Sequence, residues 1–255
     1  MKKAKDILTG LLVPILIIAL WWYVTTYTST PQTILPKISD VWQQLKVMLK
    51  EGSLQTDLSI SLGRVVKGYM VSVVLGIFVG TLMGMSKTVE KLLQPTLTTI
   101  RQIPIMAWIP LLILWCGIGE ESKTVIIVLA SFFSIMVNTQ SGISSTPQTY
   151  LEVAKLYKLS KFKTFIRVYL PHALPQIQTG LKLGLGVSWM AVVAAELIAA
   201  TSGIGYAMSY ARTLMQSDVV IICMLVIGLV GILMDKLVTL LFHAVTPWER
   251  VNTGK

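Results

Sequence analysis

The sequence predicts an all-α, polytopic membrane protein with six transmembrane helices. Of its 255 residues, 54% are hydrophobic and only 13% are charged, whereas soluble domains contain about 25% charged residues. Long apolar stretches follow one another and are separated by short polar loops, a pattern typical of membrane-spanning helices. These stretches leave no room for a second, soluble domain, so we expect residues 1–255 to form a single transmembrane domain.

The first predicted helix covers residues 11–28 and follows a basic start that contains Lys2, Lys3 and Lys5. A basic start before an apolar run is also a feature of secretory signal peptides. No small-residue cleavage site follows, however, and a group of aromatic residues ends the run, as expected at a membrane interface. We therefore predict an uncleaved helix, additional to a five-helix core at about 58–244, with its N-terminus in the cytoplasm.

A proline-containing stretch follows, and Ser39–Leu49 then has apolar residues at helical spacing. This spacing predicts an amphipathic helix on the outer membrane surface. The second predicted span runs from about 58 to 85, and Arg64 and Lys67 near its start are expected to extend toward the outer interface. Further along this span, glycines at every fourth position predict close packing against another helix and no ligand role: Gly76, Gly80 and Gly84.

The third predicted span, about 92–116, is interrupted by Pro95, Pro104 and Pro110. Proline lacks an amide donor and kinks a helix, so it leaves carbonyl groups that neighbouring protein or a polar cavity must satisfy. Three further spans and one outer segment, partly re-entrant, complete the prediction: spans at about 124–143, 174–200 and 219–244, and the outer segment at 201–218.

The net charge of +10 indicates membrane orientation. The basic residues lie in short loops beside the spans, where they orient a membrane protein, so we expect no nucleic-acid partner. Lysines and arginines are more frequent in the loops that a six-span arrangement places inside. This distribution predicts that both termini are cytoplasmic.

The sequence contains no recognised motif for catalysis or nucleotide binding. The only Gly-Lys pair is Gly254-Lys255, so no phosphate-binding Gly-x-x-x-x-Gly-Lys-Ser/Thr loop exists. Neither a Gly-x-Ser-x-Gly elbow nor a His-Glu-x-x-His zinc motif occurs, and Cys116 and Cys223 lie in apolar surroundings. We therefore expect no catalysis, cofactor or metal in this chain, and energy must come from a partner or an ion gradient.

Polar groups within predicted spans are the candidate substrate-path residues, because such groups are costly in lipid and usually face a cavity. Arg101 and Gln102 precede the Pro104 break, and a guanidinium binds oxyanions such as sulfonate through two parallel hydrogen bonds. Alternatively, Arg101 extends to the interface or pairs with a structural carboxylate. Glu196 either pairs with Arg101, holds an outer gate shut or makes a structural hydrogen bond, while Trp108, Trp115 and Trp189 either line the path or pack in the core.

The longest polar interval between spans is the coupling segment, residues 144–173. It is strongly basic, and composition alone fits a solvated cytoplasmic connector. Its order of residues, however, runs Glu152-Val153-Ala154, then Tyr157-Lys158-Leu159-Ser160, and ends at Pro171. This order resembles the EAA loop of binding-protein-dependent ABC importer permeases. Val153 replaces an alanine of that pattern, and Lys158 replaces a glycine, which implies either a different turn or a strained one.

The resemblance to this family extends over nearly the whole chain, about Leu58 to Trp248. Residues Arg101 to Lys123 and Gly180 to Tyr206 look like permeases for taurine, alkanesulfonates and nitrate. The resemblance implies a type I importer permease fold and a homodimer. It further implies two ATPase subunits that bind ATP and Mg²⁺, and an extracytoplasmic substrate-binding protein. It also implies a bacterial inner-membrane location and a small anionic or zwitterionic solute such as taurine or another sulfonate.

Alternatives with the same architecture would import nitrate, bicarbonate or a vitamin precursor. A secondary transporter is a further alternative, but it needs intramembrane carboxylates for ion coupling, and only Glu196 and Asp235 lie near spans. A membrane enzyme or assembly factor is disfavoured by the lack of an acid–base cluster. The family resemblance implies that residues of the EAA-like stretch contact the ATPase: Glu152, Val153, Ala154, Tyr157, Lys158, Leu159, Ser160 and Pro171.

Overall fold

The computed structural model describes residues 2–245, with side chains described for residues 10–242. Within these residues the regular structure is entirely helical, which confirms the predicted fold class. The C-terminal residues from 246 onward, including Trp248, lie outside the described part of the chain. The elements, in chain order, are α1 (Lys2–Tyr27), α2 (Ile38–Glu51), α3 (Ser53–Met85), α4 (Lys87–Gln102), α5 (Ile105–Cys116), α6 (Glu120–Ser144), α7 (Gln148–Leu156), α8 (Lys161–Thr164), a π-helical turn (Phe165–Tyr169), α9 (Leu170–Ala199), α10 (Ile204–Thr213) and α11 (Ser217–Val245).

Five of these helical segments are long and apolar enough to cross a membrane, and the α4–α5 pair forms a sixth if it is counted as one span. The third predicted span is therefore not one continuous helix, because α4 and α5 meet at an angle of 98°. Only Pro104 breaks the helix, while Pro95 and Pro110 lie within α4 and α5. The residue before Pro104 adopts an extended conformation, as steric contact with a proline ring requires.

Helices α3, α6 and α9 pack closely together and form the centre of the fold. Glycines on α3 allow this approach, since a Cβ atom at Gly80 would lie 2.5 Å from the carbonyl oxygen of Met136 on α6. Similar contacts occur at Gly76 and Gly84, where a Cβ atom would lie 2.9 and 2.6 Å from the Cβ atoms of Ile135 and Ile143. Small residues at this surface therefore set the distance between the two helix backbones.

The short helices lie at opposite ends of this centre. Helix α2 packs against α3 and α11, and α10 packs against α9, α11 and α3. Helices α7 and α8 lie at the other end, between α6 and α9. Residues 201–218, predicted to re-enter the membrane in part, contain α10, which packs at the opposite, C-terminal end of α9. Helix α1 is largely exposed, and its Trp21 indole donates to the carbonyl oxygen of Pro36 at 2.9 Å.

Candidate functional site

A cavity of about 390 Å³, the first cavity, lies beside the break between α4 and α5. The end of α4, the beginning of α5 and one face of α6 form its walls, with Val187 contributed by α9. Most of the lining is apolar and includes the Trp108 ring. Its polar side chains are Arg101, Ser134 and Asn138.

Among the described residues, Arg101 is the only charged one that lines the first cavity. Its side chain is exposed, and it has no ion-pair or hydrogen-bond partner among the residues that the structure describes. The α5 N-terminus opens onto the same cavity and carries no side-chain cap, so its free amides give this end a partial positive charge. Both features favour an anion.

A second, smaller cavity of about 150 Å³ lies between α3, α4 and α6. Arg101 and Val137 line both cavities, so the two meet at the Arg101 side chain. The remaining polar residues of the second cavity are Gln94, Thr98 and Gln140. Amide and hydroxyl groups therefore line part of it beside apolar side chains, and Arg101 is again the only charged residue among the described residues that line it.

Four other predicted path residues take different positions. Gln102 is exposed but lines neither cavity, and Trp115 is exposed at the end of α5. Trp189 is buried, and its indole donates to the carbonyl oxygen of Ile227 on α11 at 3.0 Å. Trp189 therefore lies in the helix-packing core. Glu196 is also distant from the first cavity, in a separate polar cluster.

The Glu196 cluster joins α3, α6, α9 and the start of α10 and consists of Ser61, Arg64, Glu120, Glu196 and Ser202. The Glu196 carboxylate is buried, with 1% of the residue exposed. It accepts hydrogen bonds from the Arg64 guanidinium at 2.7 Å and from the Ser61 hydroxyl at 2.8 Å. Of the three alternatives for Glu196, the pairing with Arg101 does not occur, because Arg64 and Ser61 bind this carboxylate.

Arg64 was expected to extend toward the outer interface, and that prediction is wrong. The residue is buried, and its guanidinium donates two hydrogen bonds to Glu120, at 2.6 and 2.8 Å. A third contact reaches the carbonyl oxygen of Ser202 at 2.7 Å. A permanent cation within an apolar helix requires a carboxylate partner, and here two carboxylates on α6 and α9 share it.

The cluster also caps α10. Three successive backbone amides at the start of this helix, those of Gly203, Ile204 and Gly205, donate to Asp57, Ser61 and Glu196 at 3.0, 2.9 and 2.9 Å. Side chains from α3 and α9 thereby satisfy amides that have no partner inside α10. A carboxylate here is further stabilised by the helix dipole.

Two glycines make this contact possible. Gly203 has a φ of 103°, a conformation that only glycine adopts without strain. A Cβ atom at Gly205 would lie 2.7 Å from the Cβ atom of Glu196. The two glycines of the sequence Ser202-Gly203-Ile204-Gly205 therefore allow the start of α10 to lie against Glu196.

Within the coupling segment, α7 ends in a Schellman motif. The Leu159 amide donates to the Ala154 carbonyl oxygen at 3.0 Å, and the Lys158 amide donates to that of Lys155 at 2.9 Å. Lys158 has a φ of 50°, the left-handed conformation that this position requires and that glycine usually provides. Of the two turns left open by the sequence, the structure contains the strained one.

The predicted ATPase-coupling residues divide into exposed and covered groups. Ala154 is buried, with 4% of the residue exposed, and Leu159 is half-buried. Ser160 is exposed, and its hydroxyl caps α8 by accepting from the Lys163 amide at 3.4 Å. The other five lie on the surface: Glu152, Val153, Tyr157, Lys158 and Pro171.

Replacing Lys158 by glycine is expected to stabilise the turn after α7. A side chain in the left-handed region costs about 1 to 2 kcal/mol. Glycine removes this cost, but its greater conformational entropy in the unfolded chain offsets part of the gain. We expect a net gain of up to about 1 kcal/mol, measured as a higher midpoint of thermal unfolding in detergent. Lys155→Gly, within α7, should instead lose about 1 kcal/mol, and equal effects of both changes would contradict this account.

Comparison with known proteins identifies relatives along most of the chain. The profile of the family described as binding-protein-dependent transport system inner membrane component matches residues 72–250. The chain is 35% identical to the putative aliphatic sulfonates transport permease protein SsuC of Bacillus subtilis, over 99% of this chain and 92% of that protein. It is 35% identical to the taurine transport system permease protein TauC of Escherichia coli, over 91% and 86% of the two chains.

Two further proteins match the chain. One is a relative named for a third solute, and the other is a solved structure. The nitrate import permease protein NrtB of a Synechocystis strain is 36% identical, over 74% of this chain and 69% of that protein. The crystal structure of an amino acid ABC transporter with histidines aligns with a TM-score of 0.63 at 16% identity, over 77% of this chain and 96% of that chain. At this identity the second match supports the fold alone.

Proposed function

Because the chain belongs to the family of binding-protein-dependent transport system inner membrane components, and is thus a multi-pass permease subunit of an ABC transporter, we propose that it conducts a small organic anion into the cell. The single observation that carries this proposal is the position of Arg101, an unpaired cation in a cavity with no other charged side chain. Relatives named for sulfonates, taurine and nitrate share anionic or zwitterionic substrates.

The composition of the first cavity favours an organic anion over an inorganic one. Arg101 and the uncapped start of α5 suit an oxyanion, and the Trp108 ring and neighbouring aliphatic residues suit a short apolar tail. A nitrate ion would leave most of this apolar surface unused. An alkanesulfonate is therefore the preferred substrate class. Taurine, whose tail ends in an ammonium group, and nitrate are the alternatives.

We infer the partners from the coupling segment and from the family. Val153, Leu156, Tyr157 and Phe162 are apolar or aromatic and are 53%, 80%, 74% and 72% exposed. Such a group at the end of a polar segment suits burial by a partner protein, and we assign it to an ATPase subunit. The proposed complex contains a homodimer of this chain, two ATPase subunits that bind ATP and Mg²⁺, and an extracytoplasmic binding protein.

This assignment places the α7 end of the molecule and both termini in the cytoplasm. The coupling segment contains four lysines and one arginine against a single carboxylate, Glu152, from Tyr150 to Pro171, as expected for a cytoplasmic loop. The Glu196 cluster then lies at the outer end. We therefore propose that the protein is located in the bacterial inner membrane.

Substitution of Arg101 tests the proposed function. Arg101→Ala is expected to reduce uptake of radiolabelled taurine or ethanesulfonate by about 100-fold or more, because a charge-assisted contact in a cavity contributes about 3 kcal/mol. Arg101→Lys retains the charge but loses the two parallel hydrogen bonds, so we expect an intermediate loss. Uptake is measured in cells that also produce the ATPase and the binding protein, at matched membrane levels of the permease.

Gln102→Ala provides the matched control, since Gln102 is the next residue and lines neither cavity. We expect its uptake to remain near that of the unmodified protein. Unchanged uptake by a correctly inserted Arg101→Ala variant would overturn the proposal that this cavity recognises the anion.

A further inference from the structure

The second cavity continues the first toward the end of the molecule that carries α7. The α6 residues that line the first cavity lie between Leu129 and Asn138, and those that line the second lie between Met136 and Gln140. Helix α6 runs from Glu120 to the coupling segment, which begins at Ser144. The second cavity is therefore nearer to the end that we assign to the cytoplasm, and the Arg101 side chain separates it from the first.

The polar groups of the second cavity occupy one face of α4. Gln94, Thr98 and Arg101 are spaced by four and three residues, which places them one above another on a helix. All three side chains are exposed to the cavity and not covered by packing. The cavity thus offers a guanidinium, a hydroxyl and an amide along a single line.

The orientation of the Gln94 amide follows from a chain of hydrogen bonds that begins at Glu90. A carboxylate only accepts hydrogen bonds, so the contact of 3.0 Å between Glu90 and Gln140 must use the Gln140 NH₂ group. The same NH₂ group lies 3.3 Å from Gln94 and therefore faces its carbonyl oxygen. The Gln94 NH₂ group then remains available as a donor.

We propose that the second cavity is a second binding site for the transported anion, occupied after the site at Arg101 and before release. This proposal rests on the proposed function. The anion retains its contact with Arg101 on one side while Thr98 and Gln94 donate hydrogen bonds on the other. Glu90 does not contact the anion but is a positioning residue, because its carboxylate holds Gln140 and thereby directs the Gln94 donors.

The cavity also limits what this site can hold. At about 150 Å³ it is less than half as large as the first cavity, and its apolar surface comes mainly from Met83, Leu97 and Met136. It suits the sulfonate group of a short chain and excludes a long apolar tail. The second site therefore discriminates by length among anions that the first cavity accepts.

Uptake kinetics of Thr98→Val and Gln94→Leu test the second site. Each change removes a hydrogen bond to a charged group, so we expect it to lower the maximal rate of ethanesulfonate uptake by about tenfold. Because the anion reaches this site after the first, the concentration for half-maximal uptake should change little. Glu90→Gln, which no longer fixes the Gln140 orientation, should produce a smaller loss of the same kind.

Thr99→Val is the matched control, because Thr99 lies on the same helix but bonds to the Pro95 carbonyl oxygen and lines neither cavity. Thr98→Val and Gln94→Leu rates equal to that of Thr99→Val would overturn the second site. If Arg101→Ala still abolished uptake in that experiment, the proposed function would be retained without the second site. A higher concentration for half-maximal uptake, with an unchanged maximal rate, would place these residues in the first site and would also overturn the proposal.

Discussion

Replacing Glu196 by alanine is expected to cause a large loss of stability. The change removes a buried carboxylate and leaves Arg64, Ser61 and the Gly205 amide without their shared acceptor. Removal of one partner from a buried ion pair costs about 3 to 5 kcal/mol. Glu120 still pairs with Arg64, so we expect the lower end of this range.

The measurement is the yield of monodisperse protein after detergent extraction, together with its midpoint of thermal unfolding. Glu121→Ala is the control, since Glu121 lies exposed in the same helical turn as Glu120 and should change neither quantity. A double variant, Arg64→Leu with Glu196→Leu, should recover much of the loss, because apolar replacement of both partners removes the unpaired charge. Normal yield and stability of Glu196→Ala would show that the cluster does not stabilise the fold.

Replacing Gly80 by alanine is also expected to destabilise the fold. The new Cβ atom would lie 2.5 Å from the Met136 carbonyl oxygen and 2.8 Å from the Thr139 Cβ atom. The first of these is a backbone atom, so α3 and α6 must move apart. Overpacking of this kind costs about 1 to 3 kcal/mol, measured as a lower midpoint of thermal unfolding.

Gly63 offers a matched control on the same helix, because a Cβ atom there meets no atom within 4 Å. Gly63→Ala should stabilise α3 by up to about 1 kcal/mol, since alanine favours helix more than glycine does. The two substitutions should therefore change stability in opposite directions. A stabilising effect of both would indicate that α3 and α6 are not held at the distance described.

The pattern of hydropathy predicts the helical fold and most of its boundaries. The second predicted span, 58–85, falls within α3, and the sixth, 219–244, falls within α11. The third predicted span is a pair of helices with a sharp bend, and hydropathy does not reveal such a change of direction. A proline shows where a helix is interrupted, but the angle at Pro104 depends on the packing of α4 and α5 against α6.

The candidate site was predicted in part. Arg101 and Trp108 line one cavity as the sequence suggested, because both lie beside the break at Pro104. The partner of Glu196 was left open by the sequence, since residues far apart in sequence meet only through the crossing of α3 and α9. Arg64 is 132 positions from Glu196, and neither periodicity nor charge distribution contains that contact.

The bend between α4 and α5 has an electrical consequence. The two helices contain 16 and 12 residues, so they are about 24 and 18 Å long, and neither crosses the roughly 30 Å hydrocarbon layer alone. We therefore expect Arg101, at the end of α4, to lie partway through the membrane voltage. Moving one negative charge inward against an inside-negative potential requires about 2.3 kcal/mol per 100 mV. We expect a transported anion to meet this cost in two stages, one before Arg101 and one after it, so that neither stage opposes the whole voltage.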